Sequence, residues 1–255
     1  MLYNVSMSSY AKKQFIIGLI WVVIFAIIIG GVYLLIKPAP LVNNGNQNEP
    51  KKDLIIISQF FIPTLENNFD LVAKIENSNN EWAAESFVYV FNLYDSVNQL
   101  VDSRQGKSYI LPQETKYIIE QKIPTQEAVA KIELKISNVS WGKIIQLGDL
   151  ELRVKNTEYQ ILEDGSTLLA GTVENKSSYD LDTIEVAGVL LDGNNKIIAA
   201  GKTSMNTVLR NESRGFEIFW PYPIAQETKS FDVRAYTNIF LNDNFIKTQG
   251  EPPKE

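Results

Sequence analysis

Oxygen-bearing and amine side chains supply the side-chain chemistry open to this sequence, because it contains neither histidine nor cysteine. Lack of histidine removes the usual general base near neutral pH, the Ser-His pair and the commonest zinc ligand. Lack of cysteine removes disulfides, thiolate metal sites and cysteine nucleophiles. Carboxylates remain. Glu81, Glu85, Asp180 and Asp182 lie near turn-forming residues and are eligible as a glycosidase pair, which needs two carboxyl groups about 5–10 Å apart. Nothing in their spacing places two of them so. Asp180, Asp182 and Asp192, with Asn194 and Asn195, offer oxygens of the kind calcium takes, without a spaced loop of the EF-hand type. Asp and Asn are the ordinary residues of hairpin turns, and that reading is favoured. No Ser-x-x-Lys string belongs to an organised motif. The sequence therefore predicts no catalytic residue, no cofactor and no metal site, and a protein that is not an enzyme.

One further pair could do chemistry. In "FVYVFNLYDSVNQLVDS", Phe87 to Ser103, an apolar run stops at Tyr94-Asp95 and resumes after a polar break. In a strand Phe91 and Leu93 face one way and Tyr94 the other, while Asp95 stands where the chain must turn. Asp accepts hydrogen bonds from backbone N–H groups two residues on, so the pair reads as a strand end.

The charge is uneven. Residues 1–48 hold three lysines and no acid, so the net −6 of the whole chain becomes roughly −9 for the remainder. A body of that sign repels phosphate backbones and anionic lipid. Nucleic acid is excluded as a partner.

The elements begin with "FIIGLIWVVIFAIIIGGVYLLI", Phe15 to Ile36, which carries no charge. As a helix its about 22 residues span roughly 33 Å, enough to cross a bilayer core. Lys12, Lys13 and Lys37 bracket it, with Tyr33 near one end, where an aromatic ring suits the headgroup region. A cleaved signal peptide is the rival reading, but its apolar core would be shorter and end on small residues. The expectation is a short basic tail over 1–14, a single membrane-spanning helix over 15–36 and a Pro/Asn-rich tether over 37–53. Lys12 and Lys13 favour a cytoplasmic amino terminus and an extracytoplasmic remainder, against Lys37, Lys51 and Lys52 on the far side.

From Leu54 onward Val, Ile, Phe, Tyr and Thr recur in short runs punctuated by Asn, Asp, Gly and Pro, the pattern of strands. The runs repeat. "LVAKIENSNNEWAAESFVYVFNLYDSVNQLV" from Leu71 matches "LLAGTVENKSSYDLDTIEVAGVLLDGNNKII" from Leu168. Glu76-Asn77 answers Glu174-Asn175, Trp82 answers Tyr179, and Asp95 answers Asp192. "LPQET" at 111–115 answers "LRNES" at 209–213, and "KIELKIS" from Lys131 answers "SFDVRAYT" from Ser230. Two copies of about seven short strands predict an all-β chain of two tandem immunoglobulin-like antiparallel β-sandwiches. The expected bounds are 54–140 and 149–242, with a packed joint over 141–148, a tail over 243–255, and the two units moving as a semi-rigid rod.

The string Phe91-Asn92-Leu93-Tyr94-Asp95, with "Ile-Glu-Asn" before it and Leu111-Pro112-x-Glu114 after it, resembles the motif of the FxLYD domain family. The likeness covers residues 54–140 well and 149–240 more loosely, since Gly188 stands for Phe91 and Leu191 for Tyr94. It implies an immunoglobulin-like sandwich on a membrane anchor in a cell envelope, with Phe91, Leu93, Tyr94 and Asp95 as structural residues and no known chemistry.

"FEIFWPYPI", Phe216 to Ile224, is the candidate partner surface, through Trp220 and Tyr222. A strand followed by a core-plugging turn is the favoured reading of the two, because "IIEQKIP" holds the same place in the first copy. The functional expectation is a single-pass cell-membrane protein whose sandwiches bind or position a protein or cell-wall partner. A scaffold subunit assembled through its anchor helix is the alternative, and an enzyme acting on envelope glycans ranks last.

Overall fold

A computed structural model describes residues 50–65, 68–125, 127–144, 150–224, 226–243 and 245. The expected membrane segment Phe15–Ile36, the basic tail and most of the tether lie outside these residues. No helix of the described residues is long and apolar enough to cross a membrane.

Among the described residues, alternating apolar residues build twelve strands, six in each copy. In the first copy β1 (Ile55–Pro63), β2 (Asn68–Glu76) and β5 (Thr115–Pro124) form sheet A in the order β1-β2-β5. Strands β3 (Trp82–Tyr94), β4 (Leu100–Ile110) and β6 (Lys131–Lys143) form sheet B in the order β4-β3-β6. In the second copy β7 (Leu152–Ile161), β8 (Thr167–Asn175) and β11 (Ser213–Trp220) form sheet C, ordered β11-β8-β7. Strands β9 (Leu181–Leu191), β10 (Ile197–Val208) and β12 (Ser230–Tyr236) form sheet D, ordered β10-β9-β12. All neighbouring strands run antiparallel. The architecture is all-β, and its sheets are paired as in β-sandwiches.

Three apolar cores hold the sheets together. Leu71, Ala73, Ile75 and Ile118 of sheet A meet Phe87, Phe91, Leu93 and Leu134 of sheet B. Leu169, Val173, Phe216 and Ile218 of sheet C meet Ile184, Val186 and Leu190 of sheet D. The third core lies between the copies, where Phe60, Ile62, Val72, Tyr117 and Ile119 of sheet A cover Ala187, Val189, Leu191, Ile197, Ala200 and Tyr236 of sheet D. Full burial of each large side chain there contributes about 1.5–3 kcal/mol. The copies thus meet over a sheet face, and Lys51–Glu255 form one compact unit.

Two expected boundaries move. Pairing with β3 carries β6 through Trp141 to Lys143, which sits opposite Trp82, so the start of the predicted joint belongs to a strand. Past Asp243 the chain still packs, for Phe245 is buried against the Tyr179 ring at 4.9 Å. The 3-10 turn Ile239–Leu241 brings it there, capped by the Asn238 side chain.

Candidate functional site

The duplicated residues form a skeleton rather than a site. Asn77 is fully buried and its Nδ2 donates to the Trp82 and Leu111 carbonyls at 2.7 and 3.0 Å. Its Oδ1 accepts from Asn79 N–H. Asn175 repeats this, donating to the Tyr179 and Val208 carbonyls at 2.7 and 3.2 Å and accepting from Ser177 N–H. Each Asn ties three segments of its copy, a role that needs a donor and an acceptor on one short side chain. Glu114 and Glu212 accept from Leu111 and Leu209 N–H at 2.8 and 2.7 Å, closing the turn before β5 and β11. Full burial of Asn175 also removes its Asn-x-Ser string from any role as a glycosylation acceptor in the folded chain.

Tyr94-Asp95 is a strand end. Asp95 Oδ1 accepts from Val97 and Gln99 N–H at 2.9 and 2.8 Å, and Asn98 takes a left-handed φ of 63°. Asp192 does the same with Asn194 and Lys196, and Asn195 has φ 60°. Phe91 and Leu93 are core residues, while Tyr94 faces outward and its hydroxyl donates to Glu133 at 3.1 Å. Where Gly188 stands for Phe91, Leu169 and Ile218 of sheet C fill the space; a Cβ on Gly188 would lie 2.7 and 2.8 Å from them.

The carboxylates singled out by type are dispersed in structural roles. Glu81 pairs with Lys143 at 3.0 Å, and Glu85 packs over Gly142. Asp180 accepts from Arg210 N–H and Asp182 from Asp243 N–H. Among the described residues no group of three or more acidic side chains is placed to hold a metal ion.

Trp220 is 1 % exposed, and its indole N–H donates to the Ala200 carbonyl at 3.2 Å. It plugs the second core, as the favoured strand-and-plug reading expects, so its candidate place on a partner surface is corrected. Strand alternation is the reason: Ile218 and Trp220 face inward and Phe219, 51 % exposed, faces out. Tyr222 reaches from the second copy to the first, where its hydroxyl donates to the buried Asp70 at 3.3 Å. Burial pushes the Asp70 carboxyl above its usual range, against the Lys122 N–H and Tyr222 hydroxyl bonds.

An arrangement of polar and apolar groups around open space lies beside the A–D core. A groove of about 440 Å³ runs between Leu111–Thr115, Leu150 with Leu152 and Val154 of β7, and Val233 to Tyr236 of β12 with the following Thr237. Asp232, next in the chain to the groove residue Val233, accepts from Tyr117 Oη at 2.8 Å and pairs with the lining Arg234 at 3.2 Å and with Lys74 at 3.4 Å. Burial acts to raise the Asp232 carboxyl, but Tyr117, Arg234 and Lys74 together hold it below its ordinary value. Tyr117 N–H donates to Tyr236 Oη at 3.1 Å. Below the groove Lys116 is 2 % exposed, its Nζ 3.5 Å from the Tyr109 ring and 4.6 Å from the Tyr236 ring. Burial drives its ammonium pKa down and the Glu114 carboxyl up, each offset in part by the other. Sequence reasoning missed this groove, since its walls come from both copies and their packing is not written in either repeat. The extra apolar positions Phe60 and Ile62 were the available signal.

No family model matches this sequence, and no curated protein matches it. Among solved structures, an exo-chitosanase from Amycolatopsis orientalis matches at 12% identity and a TM-score of 0.25, over 71% of this chain and 25% of that one. Red sea bream transglutaminase matches at 8% identity and a TM-score of 0.24, over 74% and 29%. The N-terminal CBM22-1–CBM22-2 tandem domain of Paenibacillus barcinonensis Xyn10C matches at 9% identity and a TM-score of 0.17, over 75% and 87%. The chain spans under a third of the length of the first two. Likeness of this degree assigns neither a fold family nor a function.

Proposed function

We propose that this protein is a single-pass membrane protein of the cell envelope, without catalytic activity, whose two immunoglobulin-like sandwiches of the FxLYD type bind or position a protein or cell-wall partner outside the membrane. The observation that carries the reading is the uncharged run Phe15–Ile36 between basic residues, followed by a polar tether and then an all-β body. The inward Phe91 and Leu93 and the turn-forming Asp95 agree with the family resemblance. The carboxylates lie in ion pairs and turns, which fits a binding role better than hydrolysis of glycans. Assembly into a membrane complex through the anchor helix is the second reading, favoured by Ala26 and Gly30 at a spacing that suits helix pairing.

Protease added to intact cells tests the placement: residues 54–255 are expected to be digested as readily as in lysates, and protection only in intact cells would refute it. Affinity capture from membranes with the full chain tests the role. A partner retained after the anchor is replaced by an unrelated membrane helix supports binding by the sandwiches; loss of every partner supports the scaffold.

A further inference from the structure

Strands β6 and β12 occupy equivalent places in the two copies. Each is preceded by a residue, Ala130 or Lys229, whose N–H donates to the Tyr94 or Leu191 carbonyl at 2.8 Å, and among the described residues each pairs on one side only, with β3 or β9. Alternate residues therefore direct their backbone groups to a free edge. On β6 the Leu134 N–H points that way and donates to Gln59 Oε1 of β1 at 2.6 Å. The residue equivalent to Leu134 is Val233, since Leu134 lies opposite Phe91 and Val233 opposite Gly188. Its companions on the same edge are Phe231, 38 % exposed, and Ala235. Among the described residues no hydrogen bond occupies this edge of β12. Asn156-Thr157, the stretch of β7 that answers Gln59, has shorter side chains.

This open edge lines the groove beside the A–D core. We propose that β12 is a strand-addition site, taking an extended peptide of a partner protein with apolar side chains at alternate positions and a carboxylate opposite Arg234. Strand addition satisfies the edge N–H and C=O groups, and pockets for every second side chain give selectivity. Leu111, Leu150, Leu152 and Val154 provide apolar walls for those side chains. Arg234 pairs through its Nε with Asp232 and also bonds Tyr117, and with Lys74 beside it the two cations outnumber the Asp232 carboxylate, so the groove wall carries positive charge suited to a carboxylate. The groove is also continuous with the A–D interface through Arg234 and Tyr236, so an added strand extends a surface that is already buried.

The proposal rests on the partner-binding reading and names the site for it. Ten-residue peptides alternating valine and threonine, with one glutamate moved stepwise along them, are titrated against the full chain in detergent micelles and followed by amide hydrogen exchange. At least one peptide is expected to bind with 1:1 saturation and to slow exchange at Phe231, Val233 and Ala235 but not at Leu134. Val233→Pro removes one edge N–H outside the β9 ladder and is expected to weaken that peptide at least tenfold, with any loss of core packing read separately from Tm. Arg234→Gln serves if Val233→Pro lowers Tm: it is expected to weaken the glutamate peptide about tenfold and leave its glutamine counterpart unaffected. Protection of the three amides in the free protein, no saturable binding by any peptide, or equal binding by both variants would overturn the site. The partner captured from membranes would in that case bind elsewhere, and the wider reading would stand.

Discussion

Sheet A and sheet C share a strand order, a bulged first strand and a buried Glu-Asn turn, yet their outward faces differ in kind. Sheet A presents Phe60, Ile62, Val72, Tyr117 and Ile119; at the same positions sheet C presents Glu158, Gln160, Ala170, Gly215 and Glu217. The partner faces differ alike. Sheet D meets sheet A with Ala187, Val189, Leu191, Ala200 and Tyr236, where sheet B has Val90, Asn92, Tyr94, Ser103 and Ser137. One copy of each face is apolar and covered, the other polar and wet. The two copies therefore join head to tail over one apolar pair of faces, and the two outermost faces are built like the polar caps of a repeat array. Leu191 in place of Tyr94 belongs to this division: the first packs against the A–D core, while the second turns its hydroxyl outward to Glu133.

The largest expected effects strike the shared skeleton. Asn77→Ala and Asn175→Ala each leave buried carbonyls without a donor, and each is expected to cost about 3 kcal/mol or more in urea unfolding. A cost below about 1 kcal/mol in either copy would show that the turn holds without its side chain.

Exchange of face residues comes next and sharpens the contrast directly. Ile119→Glu buries a charge between sheets A and D and is expected to cost about 3–5 kcal/mol. The reverse change, Glu217→Ile on sheet C, is expected to alter stability by less than about 0.5 kcal/mol while promoting self-association in sedimentation runs.

A smaller effect follows from protonation. Asp232 titrates below its ordinary value in the folded chain, so its contribution is present above the unfolded pKa near 4 and is lost as the pH falls through the folded value. Asp70 is raised, so its contribution is present below that same pKa and is lost as the pH rises through the folded value. Asp70→Asn is expected to remove the second slope from a stability-against-pH curve and leave the first. The smallest effect belongs to Lys74→Met, whose part-exposed ion pair with Asp232 is worth under about 1 kcal/mol.

Much of the fold was legible because skeleton residues repeat as letters. Asn77 and Asn175, Asp95 and Asp192, and Glu114 and Glu212 each do one local job that needs one side chain, so duplication keeps them visible. Faces are harder to read. Phe60 and Val72 alternate as any half-buried strand does, and nothing local says that their outer side is covered by another sheet rather than by solvent. Trp220 needed its repeat partner for a related reason: an aromatic run with two prolines looks the same whether its ring plugs a core or meets a partner, and only the parallel with "IIEQKIP" favoured the core. The groove and the open β12 edge depend on how two copies pack, and no motif marks that.

Native-state amide exchange against urea, read at Phe91 and Leu93 of sheet B and at Val189 and Leu190 of sheet D, probes most directly whether the A–D core makes one cooperative body of the two copies. The account predicts that all four amides lose protection at one urea midpoint. Two well-separated midpoints, with one copy opening while the other stays closed, would contradict it.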